Sequence, residues 1–224
     1  MLAFIVAIDG PAASGKSTVS RNVAAILKGV HVDSGSLYRG VTWKLLKAGV
    51  PVRDEPGVIQ ALTAMRMEFM LAGGSVRFTI NGEDPGKAIR SEEVGEQVST
   101  VAAMPLVRTW IIKRLRAMTR FGNLVVEGRD IGTMVFPDTS FKFFLDADPE
   151  ERTRRRLAEL ADNVSTPSFN QVKTSLLRRD ARDSDRPTAP LAQAADARVI
   201  DTTSLSIDEV VMVIVNTVRG AMPS

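Results

Sequence analysis

The stretch Gly10-Pro11-Ala12-Ala13-Ser14-Gly15-Lys16-Ser17-Thr18 sets two glycines five apart and follows them with a lysine and a hydroxyl residue. That spacing, G-x-x-x-x-G-K-[ST], makes a phosphate-binding loop. Glycines let the backbone curl tightly, so successive N–H groups converge on an anion. The helix that follows adds its positive dipole end. Lys16 supplies a mobile charge for β- and γ-phosphates, and Ser17 a hydroxyl able to ligate Mg2+. All nine residues, Gly10 to Thr18, are therefore candidate nucleotide contacts.

The flanks fix a fold class. Phe4-Ile5-Val6-Ala7-Ile8 is an apolar run suited to a buried parallel strand, and Val19, Val23, Ile26 and Leu27 recur at helical spacing. A second strand is predicted over 29–33, then a polar turn Ser34-Gly35-Ser36 and a helix stopped by Gly49-Val50-Pro51. Residues 66–90, with a strand at 75–80 and a turn at Asn81-Gly82, read as a small antiparallel piece inserted into the parallel pattern. Helices follow near 91–102 and 105–120, parted at Met104-Pro105. Strands resume at 124–126, 141–145 and 197–201, and helices follow Pro149, begin near 170, and close the chain with Ser206 as cap. Strands alternating with helices predict a doubly wound α/β fold that binds ligands at the carboxyl ends of its strands.

Composition narrows the chemistry. With 224 residues there is room for one α/β domain carrying an insertion. There are no cysteines, which excludes disulfides, thiolate metal sites and thiol catalysis, and fits a reducing cytoplasm. The amino terminus has no basic segment before its short apolar run, so neither a leader nor a membrane span is expected. A net charge of +3 with 5% aromatic residues favours an arginine-lined cleft for small anions over a nucleic-acid surface, which needs stacking platforms. The single histidine, His31, sits on a predicted strand and reads as structural, so no histidine-activated nucleophile is expected. Phosphoryl transfer onto a phosphate needs none, because the acceptor oxygen is largely ionised at pH 7.

Charged residues cluster where that reading needs them. Glu127 ends an apolar strand, where a carboxylate can hold Mg2+ directly or through water, and Asp33 competes for the role; a helix cap is the alternative at either. Arg129-Asp130 follows at once, and Arg39 lies one turn into the second helix. Arg179, Asp183 and Arg186 fall at i, i+4 and i+7, on one helical face. Arg152, Arg154, Arg155 and Arg156 form a second basic run; at least half of it is expected to face water or pair with Glu150, Glu151 and Glu159, and the rest to reach ATP phosphates on closure.

Together these motifs resemble the bacterial cytidylate kinases, a family of nucleoside-monophosphate kinases, over nearly the whole chain. The marks are the glycine loop, Asp33-Ser34-Gly35-Ser36-Leu37-Tyr38-Arg39, Glu127-Gly128-Arg129-Asp130-Ile131-Gly132-Thr133, Phe136-Pro137-Asp138, the Arg179–Arg186 cluster and Asp201-Thr202-Thr203. The resemblance implies a five-stranded parallel sheet flanked by helices, with a monophosphate-binding insertion over about 65–120 and a short lid over about 150–170. The core would then comprise 1–64, 121–150 and 170–224. It implies transfer of the γ-phosphoryl of ATP to CMP or dCMP with Mg2+, by a cytoplasmic monomer. Lys16, Arg129, Arg179 and Arg186 would be catalytic, with Ser17 and Glu127 at the metal. Arg39, Arg129 and Arg186 would bind the CMP phosphate. Ser99, Arg108 and Asp130 would read cytosine, with Ser34 in the same pocket. Arg179 and Asp183 would meet the ribose. Ser99 and Arg108 rest on the resemblance alone.

Rival readings have their own signatures. Another small-molecule P-loop kinase, for UMP, AMP or a non-nucleotide acid, would differ in the acceptor it takes. A regulatory GTPase needs Asn-Lys-x-Asp, which does not occur here. A nucleic-acid binder would hold RNA in the presence of saturating ATP.

Overall fold

The first apolar run becomes β1 (Ile5–Asp9), and Val6, Ala7 and Ile8 are wholly buried because helices cover both faces of the strand. Side-chain alternation splits these three residues between two cores. In the computed structural model, which describes residues 3–160, 167–186 and 188–221, Val6 and Ile8 pack with α1 (Lys16–Ile26) and α8 (Ile207–Gly220). Ala7 faces the other way, toward α2 (Ser34–Lys47), α4 (Glu92–Ala103) and α5 (Pro105–Ala117). Ser206 and Glu209 close α8 with a reciprocal capping box, as the sequence predicts.

Among the described residues the sheet has seven strands, not five. Its order is β3-β4-β2-β5-β1-β6-β7. The expected parallel set is present as β2 (Val30–Asp33), β5 (Leu124–Gly128), β1, β6 (Phe141–Asp146) and β7 (Arg198–Asp201). The two further strands, β3 (Met67–Ala72) and β4 (Ser75–Ile80), form the antiparallel hairpin of the insertion. Instead of standing apart, the hairpin satisfies the open edge of β2: the His31 N–H donates to the Gly74 carbonyl at 2.9 Å, with His31 in register with Ser75.

Local chemistry accounts for other departures. Ser34-Gly35-Ser36 is the first turn of α2 and not a separate turn, because the Asp33 carboxylate accepts from the Ser36 N–H at 3.0 Å. A short helix, α3 (Glu55–Ala64), precedes the hairpin. The segment expected as a lid contains α6 (Pro149–Leu160); its residues 161–166 lie outside those described, and α7 (Phe169–Ser184) follows. Among the described residues no helix is long and apolar enough to cross a membrane.

The glycine loop bridges β1 and α1 in contact with β6. Gly10 has φ +148°, and a Cβ there would sit 2.1 Å from the Leu145 carbonyl oxygen. Gly15, at φ +88°, turns the chain into α1. Gly10→Ala is therefore expected to destabilise the protein by about 3 kcal/mol through overpacking and backbone strain, read from the urea midpoint of unfolding.

Candidate active site

At the carboxyl ends of β1, β2 and β5 the loops surround a cleft of about 560 Å3. A larger hollow of about 860 Å3 lies at the opposite, amino-terminal ends of β1 and β6 and is lined by Phe4, Phe136 and Phe141. It touches none of the sequence-predicted site residues. The cleft is lined by all of them except Gly10 and Pro11. Nine Lys and Arg residues face five Asp and Glu among its described walls, so the space is strongly positive.

Inside the glycine loop, Lys16 is buried and its ammonium donates to the Pro11 carbonyl and, at 3.2 Å, to Ser14 Oγ. Burial, reinforced by Arg129, pulls its pKa well below the usual lysine value. A ligand carrying several negative charges would reverse that penalty. Beside it, the Ser17 hydroxyl donates to Glu127 Oε2 at 2.8 Å. Glu127 Oε1 lies 3.2 Å from His31 Nε2, and His31 Nδ1 lies 3.2 Å from Ser75 Oγ. The structural histidine thus steers the Glu127 carboxylate. Asp33 is occupied otherwise, capping α2 and meeting Arg90 at 3.5 Å, so Glu127 is the acid beside the loop. A hydroxyl next to a carboxylate is a hard-oxygen pair that suits Mg2+.

The rest of the cleft is built from α2, α4, α5, α7 and the end of β5. From the β5 end, Arg129 Nε donates to Asp183 Oδ2 at 3.1 Å. Arg186 and, at 3.4 Å, Ser99 Oγ donate to Asp183 Oδ1. Arg39 reaches across from α2 to the Ile89 carbonyl at 3.2 Å, and Ser34 Oγ donates to the Glu127 carbonyl at 2.7 Å. Arg179 and Arg186 each keep a buried Nε without a hydrogen-bond partner. Burial, then Arg129, pushes the Arg179 pKa down to about 10, so it stays charged at neutral pH. Arg108 is 2% exposed, donates to the Ala102 carbonyl at 3.1 Å, and pairs with Asp130. Burial raises the Asp130 pKa against the opposing pull of Arg108.

Several residues that matter here escape sequence reasoning. Asp9 ends β1 and accepts the N–H groups of Ile131 and Gly132, both at 2.8 Å, which fixes the turn after Arg129-Asp130. Only its place at a strand end marked it. Tyr38 buries its hydroxyl without a partner beside Arg108. Arg152 is buried, whereas Arg154, Arg155 and Arg156 pair with Glu150, Glu151 and Glu159 as expected.

Comparison with known proteins bears on this geometry. The family model described as "Cytidylate kinase" matches residues 6–220. The chain belongs to the cytidylate kinase family. It is 41% identical over 215 residues to the cytidylate kinase of Geobacter sp. (strain M21), covering 96% of this chain and 92% of that one. It is 44% identical over 206 residues to that of Geobacillus kaustophilus, covering 92% of each. An uncharacterised protein of Eubacterium ventriosum shares the fold, with a TM-score of 0.55 at 12% identity over 97% of this chain and 99% of that one.

Asp9 gives the site a pH signature. Burial pushes its pKa up to about 6 from 3.8, although the Gly132 and Ile131 amides oppose the shift. Between those values the native chain holds a proton that the unfolded chain has lost. Its contribution to stability therefore falls as pH rises from about 4 to about 6, by about 3 kcal/mol. Asp9→Asn is expected to remove that slope from a plot of unfolding free energy against pH.

Proposed function

We propose that this cytidylate kinase family member moves the γ-phosphoryl of ATP to CMP or dCMP, giving ADP and CDP or dCDP, within the cleft described above. The observation that supports this most is the meeting of two anion sites in one cavity. One is the glycine loop with its buried Lys16, and the other is the arginine set of β5 and α7 with its unpartnered Nε donors. The loop amides and Lys16 hold the donor's phosphates. Arg39, Arg129 and Arg186 hold the acceptor's phosphate, and Arg179 and Asp183 the ribose. Residues of about 65–120 form the acceptor-binding unit, and a lid that includes α6 shields the donor from water.

In this reading an ionised oxygen of the acceptor phosphate attacks the γ-phosphorus in line, and the bond to the bridging oxygen of ADP breaks. No covalent enzyme intermediate forms. The single histidine has both ring nitrogens engaged, and no cysteine exists. The arginines neutralise charge that spreads over the equatorial oxygens and hold both nucleotides at reacting distance. Ser17 and, through water, Glu127 would hold Mg2+, which when bound neutralises charge on the β- and γ-oxygens.

Base selection follows from hydrogen-bond chemistry. Cytosine offers an N4 amino donor that Asp130 can accept, and ring acceptors that Arg108 or Ser99 can serve. Uracil reverses the pattern at positions 3 and 4 and leaves buried groups unpaired. A coupled ADP-release assay over the common monophosphates is expected to show CMP ahead of UMP by at least about tenfold in kcat/KM. Equal values would refute the assignment. Asp130→Ala leaves Arg108 unpaired whatever the substrate, so the ratio is the informative quantity. The loss with CMP is expected to exceed the loss with UMP.

A further inference from the structure

Ala12, at the tip of the glycine loop, has both of its backbone polar groups taken by the two helices that flank residues 161–166. Its N–H donates to Asp180 Oδ1 of α7 at 3.1 Å, and its carbonyl accepts from Arg152 Nη1 of α6 at 3.1 Å. Arg152 and Asp180 also pair with each other, and Arg152 Nε donates to the Ala147 carbonyl at 3.1 Å. The methyl of Ala12 packs in the same place on Val172 and Leu176 of α7. Arg152 is 5% exposed, an unusual place for a guanidinium unless its bonds are all made.

Neither residue reaches the walls where substrate would sit; what they reach is the peptide unit of Ala12. Yet Arg179, next to Asp180, and Asp183 and Arg186, within two turns of it, line the acceptor side of the cleft. One helix therefore grips the loop that takes the donor and also supplies the arginines that take the acceptor.

We infer that Arg152 and Asp180 are positioning residues that lock the glycine loop to α7, and that this lock makes donor and acceptor nucleotides bind cooperatively. The inference rests on the donor and acceptor assignment proposed above. Donor phosphates order the loop. Ala12 passes that order to Asp180, and α7 then holds Arg179 and Arg186 in the place the acceptor needs. Linkage makes the effect reciprocal, so each nucleotide tightens the other by the same factor. A staple that merely fastens α6 to the body would lower stability and leave that factor alone.

The test is calorimetric titration of CMP into the protein with and without saturating AMP-PNP, together with steady-state kinetics. The native protein is expected to bind CMP about fivefold or more tightly when the analogue is present. Asp180→Ala should bring that ratio close to one, so that KM for CMP at saturating ATP rises about fivefold or more, and should lower kcat about tenfold. Asp180→Asn keeps an oxygen for the Ala12 N–H and should retain part of the ratio. Arg152→Lys keeps the charge but cannot span three oxygens at once, and should lose the ratio as Asp180→Ala does. If Asp180→Ala does not fold, Arg152→Lys decides. Native protein that makes CDP but shows a ratio of one overturns the inference alone, as does a variant that melts earlier with its ratio intact. Native protein that makes no CDP overturns the functional assignment beneath it.

Discussion

Positive charge concentrated at the carboxyl end of a parallel sheet is what the rest of this molecule has to accommodate. Lys16, Arg108 and Arg152 are buried, and Arg179 and Arg186 are largely so. Each would cost several kcal/mol if left unpaired away from water. A few carboxylates keep them in place, and two of these serve more than one partner. Asp183 takes Arg129, Arg186 and Ser99; Asp130 takes Arg108; Asp180 takes Arg152 and a backbone amide. The acids are too few to saturate the donors, and the surplus falls in the cleft. A ligand with four or five negative charges finishes a network that the protein leaves incomplete, and its binding stabilises the fold by mass action.

Backbone groups carry as much of this arrangement as side chains do. Gly10 and Gly15 adopt positive-φ conformations that other residues rarely take, and Gly10 lets the loop lie directly on the β6 carbonyl of Leu145. Asp9 then uses two further amides to hold the Ile131-Gly132 turn, which orients Arg129 and Asp130. Such contacts are short, directional and buried, so they hold reacting groups with little freedom to wander.

How much of this could be read from the sequence depends on the range of the interaction. The glycine loop, the strand before it, the α8 face and its Ser206 cap are local patterns, and they stand where periodicity put them. The sheet size was misjudged because strand count depends on what lies beside β2, and nothing in residues 66–90 says that the hairpin will pair there. Asp33 and Glu127 look alike in sequence, as acids at strand ends. Only the approach of Ser17 and His31 to one of them, and the Ser36 amide to the other, separates their roles. Ser99 and Arg108 carry no local signal and were named by resemblance, yet both are buried on the cleft wall. The roles of Asp9, Arg152 and Asp180 are not legible because each bonds a backbone atom more than a hundred residues away, and a pattern of side chains does not encode a bond to a distant peptide unit.

The placement of His31 shows how insertion and core are joined at the chemistry. One ring nitrogen meets Ser75 at the base of the inserted hairpin, and the other meets Glu127 beside the glycine loop. The hairpin thus approaches the site by two routes, through β4 pairing on β2 and through this imidazole. α7 does the equivalent from the other side, with Asp180 on the loop and Asp183 among the arginines of the cleft. The cleft is therefore braced at both flanks by His31 and Asp180, neither of which lines it. Transfer between two anions requires that they be held close against their own repulsion, and a cleft braced from both sides can do so without help from the reacting phosphates.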